Sequence, residues 1–383
     1  MDSIFFMKKA FFINGGAGRV LCSIPAFEHL ASTGDDFIIV SESWTELYMM
    51  SDKLRSRVFQ YTHKNLFEDY LKDRKIITPE PYRVNEYFNQ KCNLIQAFDI
   101  IINELDEVPE VKGLSLDIPK EAQVLGYNIN DEVRQKTNKE KTVVFQPFGQ
   151  GCKQEGKFII DSSGRSFELS NVYEIIDELK QQYGVILMST VDVPGWEQIG
   201  GVAKPQNVDL VQWAAIIKGA DYFLGCDSVG QHFANAAGKP ATVVLGSTFP
   251  ENISYPDNKD FTIFDLGEGK RQYSPIRLSH EPAIDLGNES LMVIEDKSTV
   301  KKILSSIVKV LGKGKEVTPT KPNENLPFYG QPSTGANEGI FDTSGVGVAQ
   351  FHTPGKKGGS TLLNLPEAKG FSSTRKQKKT AKS

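Results

Sequence analysis

The stretch YFLGCDSVGQHFANAAGKPATVVLGST, residues 222–248, predicts a strand, a helix and a second strand in direct succession. The apolar runs at 222–226 and 241–245 have the length and composition of buried strands. Helical spacing begins between them, directly after Asp227-Ser228. A right-handed crossover of this kind joins two parallel strands, so the stretch predicts an open α/β sheet.

The predicted helix has well-marked ends. Ser228 or Asp227 suits the N-cap, Gly238 suits the left-handed position after the last turn, and Pro240 stops the helix. Free backbone N–H groups and the helix dipole make such an N-terminus suited to bind phosphate, and His232 in the first turn adds a donor. The alternative is that these residues only cap and pack, since most strand–helix junctions bind no ligand.

Length and composition predict two domains and a tail. The chain has 383 residues, of which 39% are hydrophobic, and a net charge of -4 gives no general basis for binding nucleic acid or membranes. From residue 312 onward there are 11 Lys and Arg against 5 Asp and Glu, so this tail is basic while the preceding body is acidic.

Cysteine spacing and the N-terminal segment favour a reducing, cytoplasmic location. The four cysteines are far apart and form no CxxC or Cys/His pattern, so we expect neither a disulfide framework nor a zinc site. The apolar N-terminal segment at 4–13 is interrupted by Lys8-Lys9, and we expect neither a signal peptide nor a transmembrane helix.

The N-terminal part also opens with a βαβ pattern. A strand at 10–14 runs into Gly15-Gly16-Ala17-Gly18, and a helix at 20–31 and a strand at 37–40 follow. Leu21 stands where a dinucleotide fingerprint requires a third glycine, which argues against NAD binding. Further along we expect short strands at 59–61, 75–77 and 114–116. We also expect one aromatic-rich helix within 82–105.

A second α/β series follows a polar stretch. Residues 128–141 have no apolar period and are interpreted as an interdomain linker. Strands and helices then alternate at the rhythm of βαβ units, with strands at 142–146, 185–189, 222–226 and 241–245 and helices at 170–183, 208–217 and 298–311. The predicted domains are therefore 1–136 and 137–311, both Rossmann-like and doubly wound.

The tail at 312–383 is rich in Gly, Pro, Ser, Thr and Lys and ends in RKQKKTAKS. Such a composition buries too little apolar surface to fold alone and predicts disorder. The alternative is an arm that orders on a protein partner in a larger assembly.

The motif Asp-Ser-x-x-x-His-x-x-x-Ala-x-Gly-x-Pro at 227–240, followed by Leu-Gly-x-Thr-x-Pro-Glu at 245–251, resembles the nucleotide-sugar-binding segment of glycosyltransferase family 9. This family contains the heptosyltransferases of lipopolysaccharide synthesis. The resemblance covers about 10–311 and implies a GT-B fold, in which two Rossmann-like domains face a cleft. It also implies inverting transfer of a sugar from a nucleotide diphosphate donor to a glycan or other hydroxyl acceptor, with no metal and no cofactor.

The resemblance assigns donor-binding roles by position. Asp227, Ser228, Gly230 and His232 correspond to phosphate and ribose contacts in the family. Arg165 corresponds to a cation that contacts the diphosphate, where departing negative charge needs stabilisation. Glu197 corresponds to the acid that accepts the ribose hydroxyls. Without the resemblance, Arg165 and Glu197 would be interpreted as surface charges.

One position departs from the family pattern. The family usually has Gly-Asp at the N-terminal glycine-rich turn, with the Asp as proposed general base, and this chain has Gly18-Arg19. A guanidinium cannot act as a base at neutral pH. Either another carboxylate replaces it, with Glu42, Asp35 and Asp36 nearest in sequence, or deprotonation of the acceptor has been lost. Arg19 would otherwise bind an anionic acceptor or the departing diphosphate.

Two hypotheses of different classes follow. The first is an inverting glycosyltransferase that acts in the cytoplasm. The second is a GT-B protein with impaired catalysis, kept as a binding or structural module and tethered by its tail to an assembly, such as a viral particle.

Overall fold

The structure is a computed structural model that describes residues 8–111, 113–156, 158–161, 163–191, 193–194, 200–272, 290–315 and 350–351. The N-terminal lobe contains β1 (Lys9–Ile13), α1 (Ala17–Ser32), β2 (Phe37–Ser41), α2 (Thr45–Tyr48), β3 (Val58–Gln60), a π-helical turn (Phe67–Leu71), β4 (Lys75–Ile77), a 3₁₀ turn (Pro81–Arg83), α3 (Asn85–Phe88) and α4 (Leu94–Ile102).

The C-terminal lobe follows a long helix, α5 (Lys120–Thr137). It contains β5 (Thr142–Gln146), β6 (Cys152–Glu155), β7 (Phe158–Asp161), α6 (Leu169–Gln182), β8 (Gly184–Leu187), β9 (Val202–Lys204), α7 (Leu210–Gly219), β10 (Tyr222–Cys226), α8 (Val229–Ala236), β11 (Ala241–Leu245), α9 (Pro250–Ile253), β12 (Phe261–Asp265), α10 (Lys297–Leu311) and β13 (Gln350–Phe351).

The first sheet has the parallel strand order β3-β2-β1-β4. All five residues of β2 are buried, as expected for a parallel strand that is covered on both faces. One face packs against α1 and α4 through the main hydrophobic cluster, which includes Phe11, Phe27 and Phe98. The other face is covered by a smaller cluster that includes Leu66 and Leu71.

The second sheet has the order β12-β11-β10-β5-β8-β9-β13. Its strands are parallel except for β13, which pairs antiparallel with β9. Every residue of β5, β10 and β11 is buried. The predicted doubly wound α/β architecture is confirmed for both lobes.

The central strand–helix–strand unit has the predicted bounds. β10 and β11 cover the predicted ranges and pair in parallel, with Phe223 opposite Ala241. Gly238 follows α8 with a φ of +61°, the left-handed conformation that favours glycine over residues with a side chain. This unit is therefore readable from sequence because both strands are fully buried and the helix ends carry specific residues.

The predicted linker at 128–141 is wrong, because α5 occupies most of it. The buried stripe of α5 contains Gly126 and Asn130, which an apolar periodicity does not detect. A Cβ on Gly126 would lie 2.4 Å from the Ala215 backbone oxygen, so glycine permits α5 to pack closely on α7. Asn130 Nδ2 donates to the Ile216 oxygen at 2.9 Å and completes this contact.

Other differences concern short or polar elements. The predicted strand at 114–116 is absent among the described residues, whereas the predictions at 59–61 and 75–77 match β3 and β4 closely. The hairpin β6–β7 and the strands β9 and β12 were not predicted. Apart from β13, the tail from residue 316 onward lies outside the described residues. Its disorder therefore stays a prediction.

The four cysteines are buried free thiols, so no disulfide joins them. Within the described ranges, no helix combines the length and apolar character needed to cross a membrane.

Candidate functional site

A cleft of about 300 Å³ lies between the two lobes. The N-terminal side presents the glycine-rich turn together with Trp44 and Glu46. The C-terminal side presents residues that follow the carboxyl ends of β5, β8 and β10, namely Gly149, Ser189, Thr190, Asp227 and Ser228, and also Arg165 and His232. Ligands of open α/β sheets bind at this edge, so the cleft is the candidate ligand site.

Asp227 and Arg165 form the charged pair of the cleft. Arg165 Nη1 lies 3.6 Å from Asp227 Oδ2, and Asp227 is 3% exposed while the Arg165 side chain is 33% exposed. Burial raises the pKa of the Asp227 carboxyl above its ordinary value, and the Arg165 charge opposes this rise. The other carboxylate oxygen accepts a hydrogen bond from Gln231 Nε2 at 3.0 Å. Arg165 is thus held at one end while part of its guanidinium faces the cleft.

Asp161 holds the loop that carries Arg165. Its carboxylate accepts hydrogen bonds from the backbone N–H of Ser163 at 2.8 Å and of Ser166 at 3.0 Å, and from both serine hydroxyls. Burial would raise the pKa of Asp161, but the hydrogen bonds from Ser163 and Ser166 outweigh it and lower that pKa. This positioning residue was missed from sequence, although a carboxylate followed closely by two serines is a local sign of such a turn.

Gln146 organises the N-terminus of α8. Its Nε2 donates to Ser228 Oγ at 2.9 Å, and its Oε1 accepts from the Gly230 N–H at 2.9 Å. Ser228 stands at the N-cap, where its side chain forms no capping hydrogen bond, and it lines the cleft. One of the helix donors predicted to be free for phosphate is therefore already satisfied.

Gly230 has a packing reason to be glycine. A Cβ there would lie 2.3 Å from Gln146 Oε1 and 2.6 Å from the Phe223 ring. Gly230 is buried and lies behind the lining of the cleft. Its role in donor binding stays a prediction, and the contacts support a part in shaping the turn.

His232 lies where the lobes approach each other. A Cβ on Gly18 would lie 3.1 Å from His232 Nε2, so the glycine-rich turn rests against the imidazole edge. Nδ1 is 2.7 Å from the Tyr255 hydroxyl, and Cys22 Sγ is 3.8 Å from the same nitrogen. Burial lowers the His232 pKa to about 4, so the ring is neutral at physiological pH.

Arg19 is buried and forms an ion pair with the half-buried Glu80. Its Nη1 donates to Glu80 Oε1 and its Nη2 to the Pro79 oxygen, both at 2.9 Å. The guanidinium also lies over the Tyr82 ring, 5.2 Å from the centroid. Although Arg19 lines the cleft, both of its terminal nitrogens are bound within the N-terminal lobe, which disfavours the alternative that it captures a diphosphate.

The three carboxylates expected from sequence to replace a base do not line the cleft. Glu42 is exposed, Asp36 pairs with Arg74 at 2.7 Å, and Asp35 lies on a separate surface recess beside His29. Glu197 lies outside the described residues, so its predicted contact with ribose stays a prediction.

No group of three or more potential metal ligands occurs in the part of the chain that the structure describes. The described lining of the cleft provides the partly exposed cation of Arg165, the neutral imidazole of His232, and hydroxyl and amide groups. This set is suited to bind an anion such as a diphosphate.

Comparison with solved structures finds the same fold in bacterial heptosyltransferases. E. coli ADP-heptose LPS heptosyltransferase II gives a TM-score of 0.52 at 12% identity, over 79% of this chain and 99% of that chain. The dodecameric iron-containing glycosyltransferase TibC of enterotoxigenic E. coli H10407 gives a TM-score of 0.52 at 13% identity, over 81% and 79%. TibC in complex with ADP-D-beta-D-heptose gives a TM-score of 0.50 at 12% identity.

No family model and no curated protein sequence matches the chain. The chain nevertheless has the GT-B fold of these glycosyltransferases. The resemblance to heptosyltransferases, drawn from residues 227–251, is confirmed at the level of the fold.

Proposed function

We propose that this protein is a glycosyltransferase that moves a sugar from a nucleotide diphosphate donor, bound in the interlobe cleft, to a hydroxyl of a glycan or other acceptor. The observation that carries the proposal is the placement of Arg165. Its side chain is one third exposed, pairs with Asp227 and lines the cleft together with Ser228 at the start of α8. A fixed cation at this edge stabilises the charge that develops on a departing diphosphate.

The donor would lie along the C-terminal side of the cleft. Arg165 and the Ser228 hydroxyl would contact the phosphates, and the neutral His232 ring would donate or accept a hydrogen bond without adding charge. We propose ADP as the nucleotide and heptose as a candidate sugar, because TibC of the same fold is known in complex with ADP-D-beta-D-heptose. Inverting transfer, independence of metal and a cytoplasmic location belong to this proposal.

The Arg19–Glu80 pair supports a second candidate function. It occupies the position at which family 9 usually carries its base, so a donor-binding module without transfer activity also fits the N-terminal lobe. In that case the basic tail would tether the protein to a partner. Nucleotide binding is common to both functions, and sugar transfer separates them.

Replacing Arg165 tests the donor site. We expect Arg165→Gln in the full chain to weaken binding of ADP about 10- to 100-fold, because a charge-assisted hydrogen bond contributes about 1.5–3 kcal/mol. Isothermal titration calorimetry with ADP, GDP and UDP measures this directly. Arg165→Lys, which keeps the charge opposite Asp227, should recover part of the affinity.

Arg55→Gln is the matched control, because Arg55 is 51% exposed, pairs with Asp52 and lies outside the cleft. It should bind ADP like the wild type. Failure of the wild-type chain to bind any of the three nucleotides at millimolar concentration would refute the proposal.

A further inference from the structure

The acceptor side of the cleft needs a group that removes a proton from the attacking hydroxyl. Arg19 does not supply one, because a guanidinium stays protonated and this one is bound to Glu80 and Pro79. His232 is held by Tyr255, and its pKa of about 4 makes it a weak base. The base must therefore be sought among the carboxylates of the cleft.

Three carboxylates line the cleft in the described part of the chain: Asp227, Asp209 and Glu46. Asp227 is buried on the donor side and neutralises Arg165. Asp209 caps α7, where its carboxylate accepts the Gln212 N–H at 2.8 Å. Glu46 belongs to the N-terminal lobe, and no described residue forms a hydrogen bond or ion pair with its side chain.

The segment that carries Glu46 begins with an unusual backbone conformation. Trp44 adopts φ 63° and ψ 32°, the left-handed region that bulky side chains avoid. Such outliers persist where surrounding structure fixes them, and they concentrate at functional sites. Trp44 directly precedes α2, and both Trp44 and Glu46 line the cleft.

The short helix α2 is anchored in the core of the N-terminal lobe. Leu47 and Tyr48 are fully buried, and the Tyr48 hydroxyl is 2.7 Å from Ser23 Oγ in α1. The two residues that follow Glu46 are thus fixed to the core. Glu46 itself is half-buried and lines the cleft from the N-terminal lobe, whereas Arg165 lines it from the C-terminal lobe.

We propose that Glu46 is the general base of the transfer, a role that rests on the proposed function. Its carboxylate accepts the proton of the acceptor O–H, and the oxygen forms a bond to the anomeric carbon of the donor sugar. The bond from that carbon to the phosphate oxygen breaks, and its electron pair leaves with the nucleoside diphosphate. Trp44 forms the apolar wall beside the acceptor.

The test compares Glu46→Gln with wild type in the full chain, using ADP-heptose as donor and water as acceptor. Release of ADP should fall 100- to 10,000-fold in Glu46→Gln, the range associated with loss of a general base. Binding of ADP, measured by calorimetry, should change less than twofold. Glu42→Gln is the matched control, because Glu42 is exposed, lies four residues earlier and does not line the cleft; it should release ADP at the wild-type rate.

A chemical-rescue experiment separates a base from a structural role. Azide attacks the anomeric carbon without losing a proton, so azide should restore ADP release in Glu46→Ala and form a glycosyl azide. Normal ADP binding with undiminished release in Glu46→Gln, or release in Glu46→Ala that azide does not restore, would overturn the role of Glu46 and leave the proposed function intact. A wild type that binds no nucleotide would instead refute the proposed function, and the assignment of Glu46 with it.

Discussion

Arg165 and Asp227 show how two residues fix a positive charge in the cleft. Asp227 alone would be a buried charge without compensation, and Arg165 alone would be mobile at the rim. Together they place a cation at the strand edge with its position fixed by Asp161 through the loop 163–166. Removing one partner of such a pair costs more than the pair contributes, because the other charge stays buried and unpaired.

His232 should make stability depend on pH. Burial lowers its pKa from 6.5 to about 4, so between these values the unfolded chain binds a proton that the folded chain does not. The free energy of unfolding should therefore decrease as pH falls from 6.5 to 4, by an amount on the order of 3 kcal/mol from this residue. Urea unfolding at several pH values measures the slope, with His232→Gln as comparison.

In His232→Gln, the unfolding free energy should depend less steeply on pH, because the contribution of the imidazole is lost while all other titrating groups still contribute. Equal slopes in wild type and His232→Gln would show that the imidazole is solvated in the folded chain, contrary to its burial against Tyr255 and Gly18.

At the scale of elements, α8 depends on close packing at its first turn. Gly230→Ala would bring a Cβ to 2.3 Å from Gln146 and 2.6 Å from Phe223. We expect a loss of about 1–3 kcal/mol in unfolding free energy, because overpacking forces side chains and backbone to shift. Gly113→Ala is the control, since a Cβ there meets nothing within 4 Å. Equal stability of the two variants would contradict the packing of Gln146 against the helix.

Sequence defines the fully buried strands best, and most of the strands that it misses are polar, short or partly exposed. β10 and β11 are continuous apolar runs, so their bounds follow from sequence alone. The hairpin strand β6 is polar and mostly exposed, and β9 has three residues, so neither produces a periodic signal. α5 was missed because its contact with α7 uses glycine and asparagine in place of large apolar residues.

The candidate site was predictable to a similar extent. The motif at 227–232 and Arg165 could be placed together because both follow the pattern of a known family. Glu46 and Gln146 could not, because their places at the cleft depend on segments that are far apart in sequence. Asp161 was missed although its partners, Ser163 and Ser166, are close to it in sequence. The departure at Arg19 was visible, but its pairing with Glu80 required the structure.

At the scale of the whole molecule, the two lobes form one packed body around the cleft. The main hydrophobic cluster extends from Phe11 in β1 to Phe261 in β12. Asn252 of the C-terminal lobe donates hydrogen bonds to the Tyr87 and Cys92 oxygens of the N-terminal lobe, at 2.8 and 3.0 Å. Both walls of the cleft are therefore positioned by shared packing, which the proposed transfer requires for donor and acceptor to meet.

The most direct test of the central claim is release of nucleoside diphosphate by the full chain. Wild type and Arg165→Gln would be incubated with ADP-, GDP- and UDP-sugars, with and without EDTA, and the released nucleotide quantified by chromatography. We predict turnover with at least one donor, unchanged by EDTA and strongly reduced in Arg165→Gln. Nucleotide binding without any release would contradict the claim of a glycosyltransferase and favour the binding module, and loss of release in EDTA would contradict independence of metal.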